Sequence, residues 1–208
     1  MAISRTLCSL LLISLLLPGC YVAKGTKALD IFTNCPAVFT TPVGTARFTT
    51  QIDFYKKHLS GLMVFKATDD TTERVVFMTE TGFKFFDLEF TPHSSSVKYI
   101  IPSLNKKIIV KTLTRDLGYL AMPPLENSAH DQPKSDNNTT FRFPRGKGYD
   151  YYVTDKQCKV LQRIEYGTDN KKKLVIDFNN GADSGLGTIN IAHQNIKLTI
   201  FLRQISML

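Results

Sequence analysis

The 208-residue chain has no Trp, four Cys and four His. It also has no apolar run of the roughly 20 residues that a bilayer-spanning helix needs. A polytopic helical membrane protein is therefore excluded. His58, His93, His130 and His193 are far apart, and none has a second ligand at metal spacing, so each reads as a surface or turn residue. No G-x-S-x-G elbow occurs, and Arg145-Gly146-Lys147-Gly148 lacks the spacing and hydroxyl of a phosphate loop. Asp87 and Glu89 have the residue types of an acid/base pair, but two apart on one strand face they read as a solvated charged edge. No catalytic or metal constellation is left, and the expectation is a non-enzyme. What is present is 14 Phe, 8 Tyr and a 43% hydrophobic composition, which excludes disorder and suffices for the core of one domain.

Acidic residues are the scarcer charge, 18 against 26 basic ones, for a formal +8 and a pI near 9.3. Such a surplus suits nucleic-acid binding, but the N-terminus gives another address. Arg5, the apolar run 10–17 and Pro18-Gly19-Cys20 follow one another as in an export signal. Leu17-Pro18-Gly19-Cys20 resembles the bacterial lipobox, with Pro18 where a small or β-branched residue is commoner. Residues 1–19 are expected to be a lipoprotein signal peptide, 20–43 a lipidated tether with a short helix, and 44–208 one domain. Cys20 is the expected lipidation site, carrying covalent acyl chains such as palmitate as the molecule's membrane anchor, with no other cofactor. Loss of 1–19 removes Arg5 and no acid, leaving +7. With Cys8 gone and Cys20 acylated, Cys35 and Cys158 either form a disulfide or stay as buried thiols.

From Gly44 the period is two. Ala46, Phe48, Thr50, Ile52 and Phe54 alternate with polar neighbours, predicting a half-buried strand. Strands over 59–66, 74–79, 83–90 and 97–101 follow as hairpins. Several are apolar on both faces, which predicts cover on both sides of the sheet. Ile109, Leu113, Leu117 and Leu120 mark a helix within 104–120, stopped by Pro123-Pro124. The polar stretch 125–140 reads as a long loop or edge insertion, after which strands resume at 141–143, 149–154, 157–166, 173–178, 188–193 and 197–205. The fold class is mainly β (α+β): a curved antiparallel sheet of about 10–11 strands, an incomplete barrel covered by one central helix, with an apolar interior suited to an acyl chain.

The ordering of the 47–90 strands, the helix ending in Met122-Pro123-Pro124 and the C-terminal pair around His193-Gln194-Asn195 resemble the LolA/LolB family of lipoprotein localisation proteins, and more specifically its outer-membrane lipoprotein receptors of the LolB type. The resemblance implies a hydrophobic cavity that receives lipoprotein acyl chains from a periplasmic carrier, in a protein anchored in the bacterial envelope at the outer membrane and facing the periplasm. The family's tryptophans are missing, with Phe65 near one such position. The family's protruding loop exposes a leucine before a glycine to insert cargo. Here Thr81 takes the leucine's place before Gly82, and Phe83 either substitutes from the other side or packs in the core, the second being the reading adopted.

Candidates for cavity lining are Met63, Phe65, Val75, Phe77, Phe85 and Ile109, each equally able to be sealed core. Two function classes follow. One is an acyl-chain binder in lipoprotein localisation or lipid transfer, with Lys and Arg at the rim for head groups or an acidic carrier. The other is a structural or assembly lipoprotein using the curved sheet to dock proteins.

Overall fold

The computed structural model describes residues 35–124, 130–131, 137–180 and 186–205. Cys20, the expected leader and the tether up to residue 34 lie outside the described residues, as does most of the stretch 125–136. The elements in chain order are α1 (Pro36–Phe39), β1 (Ala46–Phe54), β2 (Lys57–Ala67), β3 (Glu73–Met78), β4 (Lys84–Thr91), β5 (Ser94–Ile100) and α2 (Lys107–Ala121), followed by the two-residue β6 (His130–Asp131). Then come β7 (Asn138–Arg145), β8 (Gly148–Asp155), β9 (Leu161–Thr168), β10 (Lys171–Asn180), β11 (Leu186–His193) and β12 (Leu198–Gln204).

All strands join one antiparallel sheet, ordered β5-β4-β3-β2-β1-β12-β11-β10-β9-β8-β7-β6. Consecutive hairpins build each half, and β1 pairs with β12, from Phe48 opposite Gln204 to Phe54 opposite Leu198, to join the halves. The alternation read from the sequence sets the faces: Ala46, Phe48, Thr50 and Ile52 are buried, and the residues between them are exposed.

The sheet must curl. Strands β4 and β8 stand second and tenth in the order, about 38 Å apart if the sheet were flat at its usual strand spacing. Yet α2 packs on β3 and β4, while its Tyr119 bonds to Asp150 of β8. One helix cannot reach both unless the strands wrap around it. The outer strands β5 and β6 do not pair with each other, so the barrel stays open. The expected fold class is therefore the one observed.

The core lies between the concave face and α2. Phe48, Phe65, Phe77, Phe86, Leu117 and Leu120 are fully buried there, each contributing about 1.5–3 kcal/mol by leaving water. The Phe48 and Phe65 rings meet edge to face, with centroids 5.7 Å apart, a favoured aromatic geometry.

Three expectations change. From Cys35 onward the stretch expected as tether packs into the domain: Cys35 and Val38 are buried, and Phe39 meets the rings of Phe141 and Phe143 edge to face. Pro36 opens α1 with a fixed φ and no N–H to lose, and Cys35 forms a disulfide with Cys158 in the β8–β9 turn. Second, no element among the described residues forms a covering layer on the convex face. Leu62 opposite Met78 and Val64 opposite Val76 stay half-buried on the convex face, shielding one another across the strands. Third, Asp87 is not a solvated edge residue. It is 4% exposed, clamped by Arg74 at 2.6 Å and Lys84 at 2.9 Å. Burial alone raises its carboxyl, but the two cations outweigh that and hold it below the ordinary value.

Candidate functional site

Helix α2 treats its two halves differently. Its C-terminal half carries Asp116 on the same stripe as Leu113, Leu117 and Leu120, so a carboxylate points into the core with no exposure. Arg115 donates to its Oδ1 through Nε at 2.9 Å and Nη2 at 2.8 Å. His193 donates to its Oδ2 through Nε2 at 2.7 Å. The His193 side chain is 2% exposed, so the surface or turn reading of this histidine is wrong. Ile189, Ile191 and His193 share one face of β11, and that face is the inner one.

One turn later Tyr119 donates to Oδ1 of Asp150 at 2.5 Å, while Arg145 donates to Oδ2 at 3.0 Å. Burial raises the Asp150 carboxyl against the pull of Arg145. Burial, reinforced by Asp150, pushes the Tyr119 phenol well above its ordinary value, so the phenol keeps its proton and serves as donor. These clusters fasten the helix to β8 and β11.

The N-terminal half makes no such bonds to the sheet among the described residues and borders an apolar cleft of about 150 Å³. Ile52 and Phe54 of β1, Leu59 of β2 and Leu198 of β12 form one wall. Ile109, Thr112 and Leu113 form the other, with Phe86 and Leu104 between them. The Thr112 hydroxyl donates to the Ile108 carbonyl at 2.8 Å, so it offers the cleft no free donor. Tyr55, Lys57 and Ile108 stand at the mouth, and Tyr55 and Ile108 are 63% and 66% exposed. Such a surface can hold hydrocarbon. Among the described residues no three His, Cys, Asp or Glu gather in a way that could hold a metal ion.

Of the six residues proposed for cavity lining, only Ile109 borders the cleft. Met63, Phe65, Val75 and Phe77 have no exposure and are sealed core. Phe85 is the extra residue where the β3–β4 register shifts, and its ring stacks on Phe77 with centroids 4.9 Å apart. The walls that sequence reasoning missed, Ile52, Phe54 and Leu113, were on the inward pattern. What that pattern lacked was any sign of where the helix leaves the sheet uncovered.

The β3–β4 hairpin holds Thr81, Gly82 and Phe83 at the same end of the sheet as the cleft mouth. Thr79 organises it: its Oγ1 lies 2.9 Å from Thr81 Oγ1 and accepts from the Phe83 N–H at 2.9 Å. Gly82 supplies the φ of 90° that the turn requires. Phe83 is 57% exposed, with its ring edge to face on Phe85. The core reading of Phe83 is thus corrected: the turn rotates it outward, and only Phe85 beside it reaches the core.

No family model matches the chain, and no curated protein matches it. Solved structures do match. A LolA superfamily protein from Nitrosomonas europaea superposes with a TM-score of 0.54 at 9% identity, over 87% of this chain and 92% of that one. A DUF1329 family protein from Desulfovibrio piger gives a TM-score of 0.44 at 8% identity, over 86% and 90% of the two chains. The first likeness shows a LolA-like fold. It does not extend to the LolB type that the sequence resemblance singled out.

Proposed function

We propose that this chain is a non-enzymatic carrier or receptor that holds an acyl chain, from a lipid or a lipoprotein, in the cleft beneath the N-terminal half of α2. The observation that carries the proposal is the cleft itself: an apolar slot at the edge of the core, bordered by the buried Ile52, Phe86, Leu104, Leu113 and Leu198. Its volume is about that of a cavity that stays dry and admits benzene, room for roughly six methylenes. At about 0.8 kcal/mol each these supply about 5 kcal/mol, which is submillimolar affinity at best. Tighter binding requires the unfastened half of α2 to move outward while Asp116 and Tyr119 hold the other half.

The LolA-like fold supports a role in the bacterial envelope. Anchoring through Cys20, outer-membrane residence, a LolB-type receptor role and an encounter with a periplasmic carrier are further parts of the proposal, supported by the lipobox-like Leu17-Pro18-Gly19-Cys20 and the order of the strands. A protein-docking role is the competing reading. The half-exposed Leu62, Val64, Val76 and Met78 on the convex face favour it. Native mass spectrometry of the chain purified without its anchor separates the two: co-purified lipid or acylated protein supports the cleft, and an empty protein supports docking.

A further inference from the structure

Three segments meet at the cleft mouth, and each brings lysines. The β1–β2 turn carries Lys56 and Lys57 beside Tyr55, the start of α2 carries Lys106, Lys107 and Lys111 around Ile108, and the β11–β12 turn carries Lys197 between the lining residues Ile196 and Leu198. The Tyr55 N–H donates to the Lys197 carbonyl at 2.9 Å, which joins two of these segments directly. Residues 55–57, 104–113 and 194–198 contain no Asp or Glu. The neighbouring Asp53 has its carboxylate 2.7 Å from His58.

The needs of the fold do not account for this arrangement. Lys106 is the N-cap of α2 without a side-chain cap bond, and the first turn holds no acid. Cations there oppose the helix dipole, so they weaken the helix they begin. Ile108 and Tyr55 stand exposed amid this charge, and Tyr55 is held out by a left-handed φ of 53°. Exposed apolar tips ringed by long basic side chains are the composition of a surface that sits in the headgroup layer of an anionic membrane.

We propose that the cleft mouth docks on an anionic lipid bilayer, with Ile108 and Tyr55 entering the interface and the lysines on the headgroups, so that an acyl chain passes between membrane and cleft without crossing water. This rests on the acyl-chain reading of the cleft. An acidic protein is the rival occupant. The exposed Ile108 and Tyr55 beside a hydrocarbon slot favour the bilayer.

Because the chain lacks Trp, Ile108→Trp gives a single fluorescent reporter at the mouth. Lys156→Trp, in the β8–β9 turn at the opposite end of the strands, is the control. Both are made in the chain from residue 20 onward carrying Cys20→Ser, which keeps every described element. With vesicles of equal parts phosphatidylcholine and phosphatidylglycerol, the Ile108→Trp emission should move to the blue and the Lys156→Trp emission should not. Binding should vanish at about 1 M salt, where the screening length is about 3 Å. Lys107→Gln with Lys111→Gln should weaken it about 25-fold, at about 5-fold per lysine. No vesicle binding, or a shift at Lys156→Trp alone, overturns the docking face. A shift with polyglutamate but not with vesicles also overturns it and assigns the rim to an acidic protein. A fluorescent fatty acid measured in parallel keeps the two ideas separate: uptake without vesicle binding sinks only the docking face, and vesicle binding without uptake sinks only the acyl-chain reading.

Discussion

Asp116→Ala tests whether the buried cluster fastens α2 to the sheet. The substitution removes the acceptor of three hydrogen bonds, at 2.9 and 2.8 Å from Arg115 and 2.7 Å from His193, at a residue with no exposure. The Arg115 side chain, 26% exposed, can turn to water. His193, 2% exposed, cannot, and its desolvated ring keeps only the long 3.5 Å contact from Nε2 to Nη2 of Arg115. Breaking one partner out of a buried pair costs about 3–5 kcal/mol, a large share of the 5–15 kcal/mol that holds a typical domain together. At about 3 °C per kcal/mol for a domain of this size, the melting temperature should fall by about 12 °C. Urea unfolding followed by far-ultraviolet circular dichroism measures the loss. His193→Leu added to Asp116→Ala should recover part of it, because the stranded ring is gone. A loss under about 1 kcal/mol for Asp116→Ala, with no coupling to His193, would refute the claim that the cluster pins the helix.

Three other outcomes follow from the same structure. The Cys35–Cys158 disulfide closes a separation of 123 residues, so on the chain-entropy account Cys35→Ser with Cys158→Ser should lower stability by about 5 kcal/mol. Thermal unfolding with and without reductant checks this, and a melting temperature indifferent to reductant would contradict it. Glu73 is 5% exposed with Oε1 unpartnered, and burial pushes its carboxyl up from 4.5 to about 7. The folded state then holds the proton more tightly than the unfolded one, so stability from this group is full below about pH 4.5 and is lost as pH rises through about 7. Glu73→Gln should remove that fall and be more stable than the parent at pH 8, by on the order of 2 kcal/mol. Parallel urea series at the two ends of the range measure the difference, and equal slopes against pH would contradict it. Phe83→Ser, at an exposed position, should change stability by less than about 0.5 kcal/mol, and a larger loss by thermal unfolding would restore it to the core.

Much of the fold was legible because it rests on local periods. The two-residue alternation of Ala46, Phe48, Thr50 and Ile52 fixed β1 and its inner face, and the helical spacing of Leu113, Leu117 and Leu120 fixed α2. The candidate site was legible only at Ile109. Alternation says which face a residue takes, but not whether the helix crosses above it. Met63 and Phe77 share the inner face with Ile52, yet only Ile52 of the three lines the cleft. The buried polar cluster did leave a signal. Asp116 interrupts an apolar helix stripe, and His193 continues the Ile189 and Ile191 alternation, so two groups of the right types were marked as inward. Their meeting depends on the wrap of the whole sheet, which no local pattern contains. The exposure of Phe83 depends on a side chain, Thr79, bonding across its own turn.

The central claim is that the slot beneath α2 takes hydrocarbon. A titration of the chain from residue 20, carrying Cys20→Ser, with a fluorescent long-chain fatty acid tests it, alongside Ile109→Trp, which puts an indole into the slot. The account predicts saturable one-site binding by the parent chain and at least about tenfold weaker binding by Ile109→Trp, the loss of two or more buried methylenes. No saturable binding by the parent, or binding that Ile109→Trp leaves unchanged, would contradict it.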